Sequence, residues 1–192
     1  MKTEVIKLST ILLLLAFIPA GCQDDEDLFE IQIGGKNAVI QKEIEGIEFK
    51  FCLLTEEGEP STVFNEGENF TFQFSIKNNT GESLIFHDYG FYVNDDFFSV
   101  QNRTQNFGRP FEFLTGYLTS NEMRYIHDGI SCSFICPWQD NRDEFFAMYG
   151  AFKGLNKMTL KNGKYVTKFT HNFQFGDVET GSLTFKINFE IK

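Results

Sequence analysis

Few residues in this chain have the types and spacing that chemistry needs. Hydrolysis through a nucleophile requires a base beside it and an acid to orient that base, and the bases available are His87, His127 and His171. No G-x-S-x-G elbow occurs, and neither Cys132 nor Cys136 sits in a recognisable nucleophile signature. His171 alternates with Phe169 and Phe173 and reads as a strand residue. His87 opens a loop with Asp88, and His127-Asp128-Gly129 reads as a turn. Cys132-x-x-x-Cys136 offers two thiolates, but a structural zinc site needs four ligands and no second pair exists. Asp140, Asn141, Asp143 and Glu144 gather oxygens, as do Asp88, Asn94, Asp95 and Asp96. Neither group has the D-x-[DN]-x-[DN]-G order of a calcium loop, so both read as solvated charge. No glycine-rich phosphate loop is present. The expectation is a chain without catalytic residues, metal or cofactor.

What remains is binding by ring surfaces and modification of one thiol. Tyr89, Phe91 and Tyr92, with Phe97 and Phe98 close behind, lie between glycine and acidic residues, and Tyr117 and Tyr125 follow in the next loops. Rings presented by loops stack on sugars or peptides, so Tyr89, Phe91, Tyr92, Tyr117 and Tyr125 are the candidate ligand-binding residues. The competing assignment is a place in the core, as for the single Trp138.

Cys22 follows Lys2, Lys7 and an apolar run from Ile11 to Ile18, then Pro19-Ala20-Gly21. The run is shorter than the roughly 20 apolar residues of a membrane span, so it reads as a secretory h-region. Small residues before the cysteine resemble the lipobox of prolipoproteins, with Pro19 where that motif usually carries Leu. The resemblance implies acylation of Cys22 after removal of 1–21. The acidic run Gln23-Asp24-Asp25-Glu26-Asp27 resembles the surface-export signal of Bacteroidetes-type lipoproteins, and implies a lipid-anchored protein of the outer membrane facing the exterior. Like charges keep such a run extended, so 22–36 is expected to be a tether and 37–192 one folded domain.

The chain carries a net charge of −10, more negative still once 1–21, with two lysines and one glutamate, are removed. Such a surface repels phosphate backbones, which argues against nucleic acid as a partner. The expected partners are the membrane, through the lipid, and a protein or glycan ligand. Beyond Cys22 an odd number of cysteines remains. One disulfide from Cys52 to Cys132 or Cys136 and three reduced thiols are both open.

The elements that must position these residues are strands. Ile47, Phe49, Phe51 and Leu53 alternate with polar neighbours, as do Phe70, Phe72, Phe74 and Ile76. Tyr165, Phe169, Phe173 and Phe175 continue the pattern, and Leu183, Phe185, Ile187, Phe189 and Ile191 close it, with a turn at Gly176 to Gly181. Period two with one polar face predicts antiparallel sheets packed face to face. The 24 phenylalanines suit such a core. Between Asn94 and Asn162 the pattern loosens. Short strands are expected at Phe97–Gln101, Phe111–Leu114 and Ile130–Ile135, and Phe145, Met148, Tyr149 and Phe152 have the spacing of a short helix, with a strand the alternative because aromatics dominate.

Two stretches carry a further resemblance. Glu66-Gly67-Glu68-Asn69-Phe70, the alternating strand and Asn78-Asn79 resemble a segment of the intracellular proteinase inhibitor family. Pro137-Trp138 and Leu160-Lys161-Asn162-Gly163-Lys164-Tyr165 resemble that family's Trp and L-x-x-G-x-Y. The resemblance covers about half of the chain after Cys22. It implies an all-β, immunoglobulin-like antiparallel β-sandwich with irregular insertions, and raises protease inhibition, though no inhibitory residue carries over. The chain as a whole resembles gut-bacterial surface lipoproteins. Together these readings favour a non-catalytic, lipid-anchored binding or assembly module. The alternatives are a protease inhibitor and an accessory glycan-binding lipoprotein of an outer-membrane uptake system.

Overall fold

The computed structural model describes residues 27–87, 90–116, 125–148 and 150–192. In chain order the strands are β1 (Asp27–Ile31), β2 (Val39–Ile44), β3 (Ile47–Leu54), β4 (Val63–Phe64), β5 (Thr71–Asn78), β6 (Leu84–Ile85) and β7 (Val100–Gln101). They continue as β8 (Asn106–Gly108), β9 (Phe111–Gly116), β10 (Tyr125–Ile126), β11 (Ser131–Pro137), β12 (Phe145–Ala147), β13 (Gly150–Gly154), β14 (Gly163–Phe175) and β15 (Val178–Ile191). Among the described residues the single helical element is a 3₁₀ turn at Phe91–Val93. The fold is all-β and of β-sandwich type, with several sheets that do not close into a barrel.

The long β14–β15 hairpin anchors the first sheet, ordered β1-β15-β14-β7-β8. Its turn contains Gly176 at a φ of 58°. That is the left-handed conformation, which glycine adopts without a Cβ penalty. Tyr165 pairs with Phe189 and Phe169 with Phe185, so both strands send their aromatic side inward. The second sheet, β11-β5-β3-β2, is antiparallel throughout and turns Phe49, Phe51, Leu53, Phe72, Phe74 and Ile76 toward the first. The two layers meet ring on ring. Phe49 lies 5.0 Å from Phe173, and Phe74 lies 5.4 Å from Phe169 and 5.6 Å from Phe185. Burial of each ring stabilises by about 1.5–3 kcal/mol and each well-set pair adds about 0.5–1.5 kcal/mol. The third sheet, β12-β13-β9, packs beyond the edge strand β11, where Phe134 meets Phe152 at 4.7 Å and Phe111 at 5.0 Å.

Three expectations need correction. Residues 27–31 are no part of a tether: Leu28 to Ile31 pair in register with Thr184 to Ile187 of β15, so the folded unit reaches back to Asp27. The stretch from Phe145 to Phe152 is not helical but a hairpin, with Phe145 directly opposite Phe152. Met148, at a φ of 49°, takes the reversal. The β1–β15 pairing is parallel, as is β4 against β15, so two parallel contacts join an otherwise antiparallel fold. Of the two cysteine states left open, the reduced one holds: Cys52, Cys132 and Cys136 form no disulfide.

The strand expected from Phe97 is also shorter than anticipated, since β7 starts only at Val100. Phe98 has a φ of 60°. Residues other than glycine rarely occupy that region. In an extended chain, consecutive side chains point to opposite faces. The left-handed step at Phe98 instead lets Phe97 and Phe98 enter the core together, stacked at 4.1 Å.

Candidate functional site

The burial of Phe91 and Tyr92 overturns their assignment as ligand-binding rings. Both are 1% exposed. Phe91 meets Phe74, Phe97 and Phe173, and Tyr92 packs edge-on to Phe152 at 5.1 Å. Arg109 secures this segment from outside. Its guanidinium donates to the carbonyls of Tyr92 at 2.9 Å, Val93 at 3.4 Å and Asn94 at 3.2 Å, and lies over the Phe111 ring. Trp138 is likewise core, stacked on Phe70 and donating Nε1–H to the Met158 carbonyl. Tyr125, 38% exposed, is the one candidate among the described residues that reaches solvent. Cys22, Tyr89 and Tyr117 lie outside the described residues.

Tyr125 belongs to a two-stranded ribbon, β6 with β10, whose register pairs Ile85 with Tyr125 and Leu84 with Ile126. The next pair along is Ser83 and His127, and Ser83 Oγ and His127 Nδ1 share a hydrogen bond at 2.8 Å. Asn78 holds the ribbon in place: its buried amide donates to the carbonyls of Glu82 and Ile126. A serine joined to a histidine is the core of a hydrolase triad, and sequence spacing hid it because the partners are 44 residues apart. Its setting differs from a triad. Both side chains are exposed, and the neighbouring Asp128 accepts from the Gly81 N–H at 2.9 Å instead of reaching the imidazole.

A second chemical cluster is buried. The Asp140 carboxylate, 3% exposed, accepts from Arg142 through the backbone N–H and both Nε and Nη2, and from the Cys136 thiol at 3.5 Å. Arg142 also covers the Phe145 ring at 3.9 Å. Burial raises the Asp140 pKa, yet the Arg142 hydrogen bonds outweigh it and hold the carboxyl below its ordinary range. Burial first, and then the Asp140 charge, push the Cys136 thiol far up. Burial likewise lifts Cys52 to about 11. A thiol reacts as its thiolate, so these two cysteines are built as packing groups.

A shallow groove of about 970 Å³ lies on the outer face of the first sheet. Gln101, Val166 and Asn188 form its floor in one row across β7, β14 and β15. Arg103, from the β7–β8 turn, rises on one side with Lys164, and Gln32 lies on the other. Asn102 shapes that turn by accepting from the N–H groups of Thr104 and Gln105. Lys168 and Lys186 stand directly opposite one another on the same face. Glu30 neutralises Lys186 at 2.7 Å, and Glu190 pairs with Lys192 at 3.6 Å. Arg103, Lys164 and Lys168 have no ion pair among the described residues. Composition concealed this site: a chain of net −10 carries a local basic strip that only the sheet register assembles.

No family description, curated protein or solved structure matches this chain.

Proposed function

We propose that the protein is a non-catalytic, lipid-anchored binding module of the outer-membrane surface, working through the outer face of its first sheet. The observation that carries this reading is the spacing between Cys22 and β1. Only Gln23, Asp24, Asp25 and Glu26 separate the lipobox cysteine from the sheet. That stretch reaches at most about 18 Å. An acyl chain on Cys22 therefore holds the sandwich against the bilayer. β1 runs parallel to β15, away from the β14–β15 turn, so Asp27 marks the end of β1 nearer that turn. The groove at Asn188 lies further along β15 than Leu183, the partner of Asp27. At the rise of a strand, that separation is roughly 17 Å. Such an arrangement leaves the groove on the side remote from the anchor.

Metabolic labelling with an alkyne fatty acid in a host with an outer membrane tests the reading. The full chain is expected to take the label and sediment with outer membranes, and Cys22→Ser to lose both properties. An unlabelled, released wild-type chain would sink it. The exposed Ser83–His127 pair supplies the test of the non-catalytic part. Covalent capture of Ser83 by a fluorophosphonate probe, abolished in Ser83→Ala, would make the protein a serine hydrolase. The glycan-binding alternative is favoured by the polar groove, whereas protease inhibition rests on the resemblance alone.

A further inference from the structure

We infer that the groove over Gln101, Val166 and Asn188 takes an anionic polysaccharide, with Arg103 and Lys164 meeting its carboxylate or sulfate groups. The inference rests on the binding-module reading and names its ligand class. Three observations carry it. First, the strip is only partly compensated: Arg103, Lys164 and Lys168 have no carboxylate within ion-pair distance among the described residues. Like charges directly opposite each other in an antiparallel pair destabilise a sheet, and Lys168 faces Lys186; Glu30 pairs with Lys186, and Glu190, opposite Lys164, pairs with Lys192. With a screening length of about 8–10 Å at physiological salt, a ligand in the groove responds to this strip more than to the distant acidic surface.

Second, the lining matches sugar chemistry. Gln101 offers a side-chain amide, a group that both donates to and accepts from ring hydroxyls, and Asn188 offers its Oδ1, its N–H groups being given to Glu30 and the Ile31 carbonyl, while Gln32 also meets Glu30. Arg103 presents a planar fork suited to carboxylate or sulfate, and Lys164 a compact charge. Third, the groove lacks what a protein partner requires. Protein interfaces centre on buried aromatic or apolar anchors, but the groove's aliphatic lining is Val166 on the floor and Ile33 at the side, and the Tyr165 ring is turned into the core against Phe189. A volume of about 970 Å³, open along the sheet, suits several sugar rings of a chain better than one small molecule.

The test is affinity electrophoresis of the detergent-solubilised full chain through gels containing polygalacturonate, dextran sulfate, neutral dextran or polyglutamate. Retardation is expected with polygalacturonate or dextran sulfate, falling as salt rises, and not with dextran. The two anionic gels distinguish carboxylate from sulfate as the recognised group. The double variant Arg103→Glu/Lys164→Glu should bind at least tenfold more weakly, while Lys50→Glu/Lys153→Glu, with the same charge change elsewhere, should match wild type. Matched thermal melting curves establish that both variants fold. Equal loss in the two variants, polyglutamate bound as well as the saccharides, or no retardation by either anionic polysaccharide overturns the inference. Binding to neutral dextran that survives Arg103→Glu/Lys164→Glu would overturn it too, yet leave a binding module. Loss of the fatty-acid label would remove the anchored reading without touching the groove.

Discussion

Phe98, in the loop after the 3₁₀ turn, lies nearly parallel to Phe72 of β5, with ring centroids 4.7 Å apart. That contact fastens an irregular segment to the centre of the second sheet, and Phe98 also stacks on Phe51 at 5.9 Å. All three rings are fully buried. Phe98→Ala should therefore cost about 3–5 kcal/mol, the usual penalty for emptying such a site. Urea unfolding followed by circular dichroism measures it. A loss below about 1 kcal/mol, well under that range, would show that the ring does not hold the loop in the core.

Arg109 restrains the same segment by different means. It supplies charged donors to three successive carbonyls and covers the Phe111 ring at 4.8 Å. Hydrogen bonds from a charged group are worth about 1.5–3 kcal/mol where they are sheltered. Arg109→Ala is expected to lower stability by about 2 kcal/mol and to speed amide exchange at Val93 and Asn94. Arg109→Lys should recover only part, since an ammonium has no planar face to lie over the Phe111 ring. Full recovery in the lysine variant would mean that charge alone matters.

The sheets were legible in the sequence where one face is wet and the other dry. Phe49 to Leu53, Phe72 to Ile76 and the β14–β15 hairpin all obey alternation because each strand is half-buried. Phe91, Tyr92, Phe97 and Phe98 were not legible as core. Their burial depends on a left-handed residue and on an arginine from the β8–β9 connection, neither of which has a periodic signature. β1 was hidden by the acidic residues beside it, because its partner β15 comes from the opposite end of the chain and adds the pairing that local composition denies. The helical spacing of Phe145, Met148 and Phe152 arose from a tight hairpin that places Phe145 opposite Phe152. The basic groove and the Ser83–His127 pair were invisible for one reason: both are products of register, which sequence order does not reveal.

Gly154 is required by its neighbours. A Cβ at that position would meet the Asp140 carbonyl oxygen at 2.5 Å and its Oδ1 at 2.6 Å, both inside contact distance. Backbone on one side and a fixed carboxylate on the other leave no flexible end to yield. Gly154→Ala is expected to destabilise by about 1–3 kcal/mol, as overpacking does, and to lower the melting temperature. An unchanged melting temperature would show that the β11–β12 connection moves freely around Asp140.

Thiol reactivity should separate the three cysteines of the Cys22→Ser chain. Cys132 is half-buried, whereas Cys52 and Cys136 are buried with raised pKa values. At pH 8 iodoacetamide is expected to modify Cys132 first, and the other two only on unfolding. Peptide mass mapping over time reads the order. Early modification of Cys136 would mean that the Asp140 cluster opens in the native state.

The Asp140–Arg142 pair also sets a pH dependence of fixed sign. Burial alone would raise the carboxyl pKa, but the Arg142 hydrogen bonds prevail and lower it. A carboxyl whose folded pKa lies below its unfolded value, about 3.9, contributes stability that is complete above the unfolded value. That contribution is lost as pH falls through the folded one. Asp140→Asn removes the charge at every pH and leaves Arg142 with a neutral acceptor. The Arg142 side chain is 43% exposed, so water replaces part of the loss. The expected cost at pH 7 is about 1–3 kcal/mol. Denaturation midpoints of the two proteins should converge as pH drops below about 4, because protonation makes wild-type Asp140 resemble the amide. A gap that stays constant from pH 7 to pH 2 would show that the two side chains are coupled by packing and not by charge.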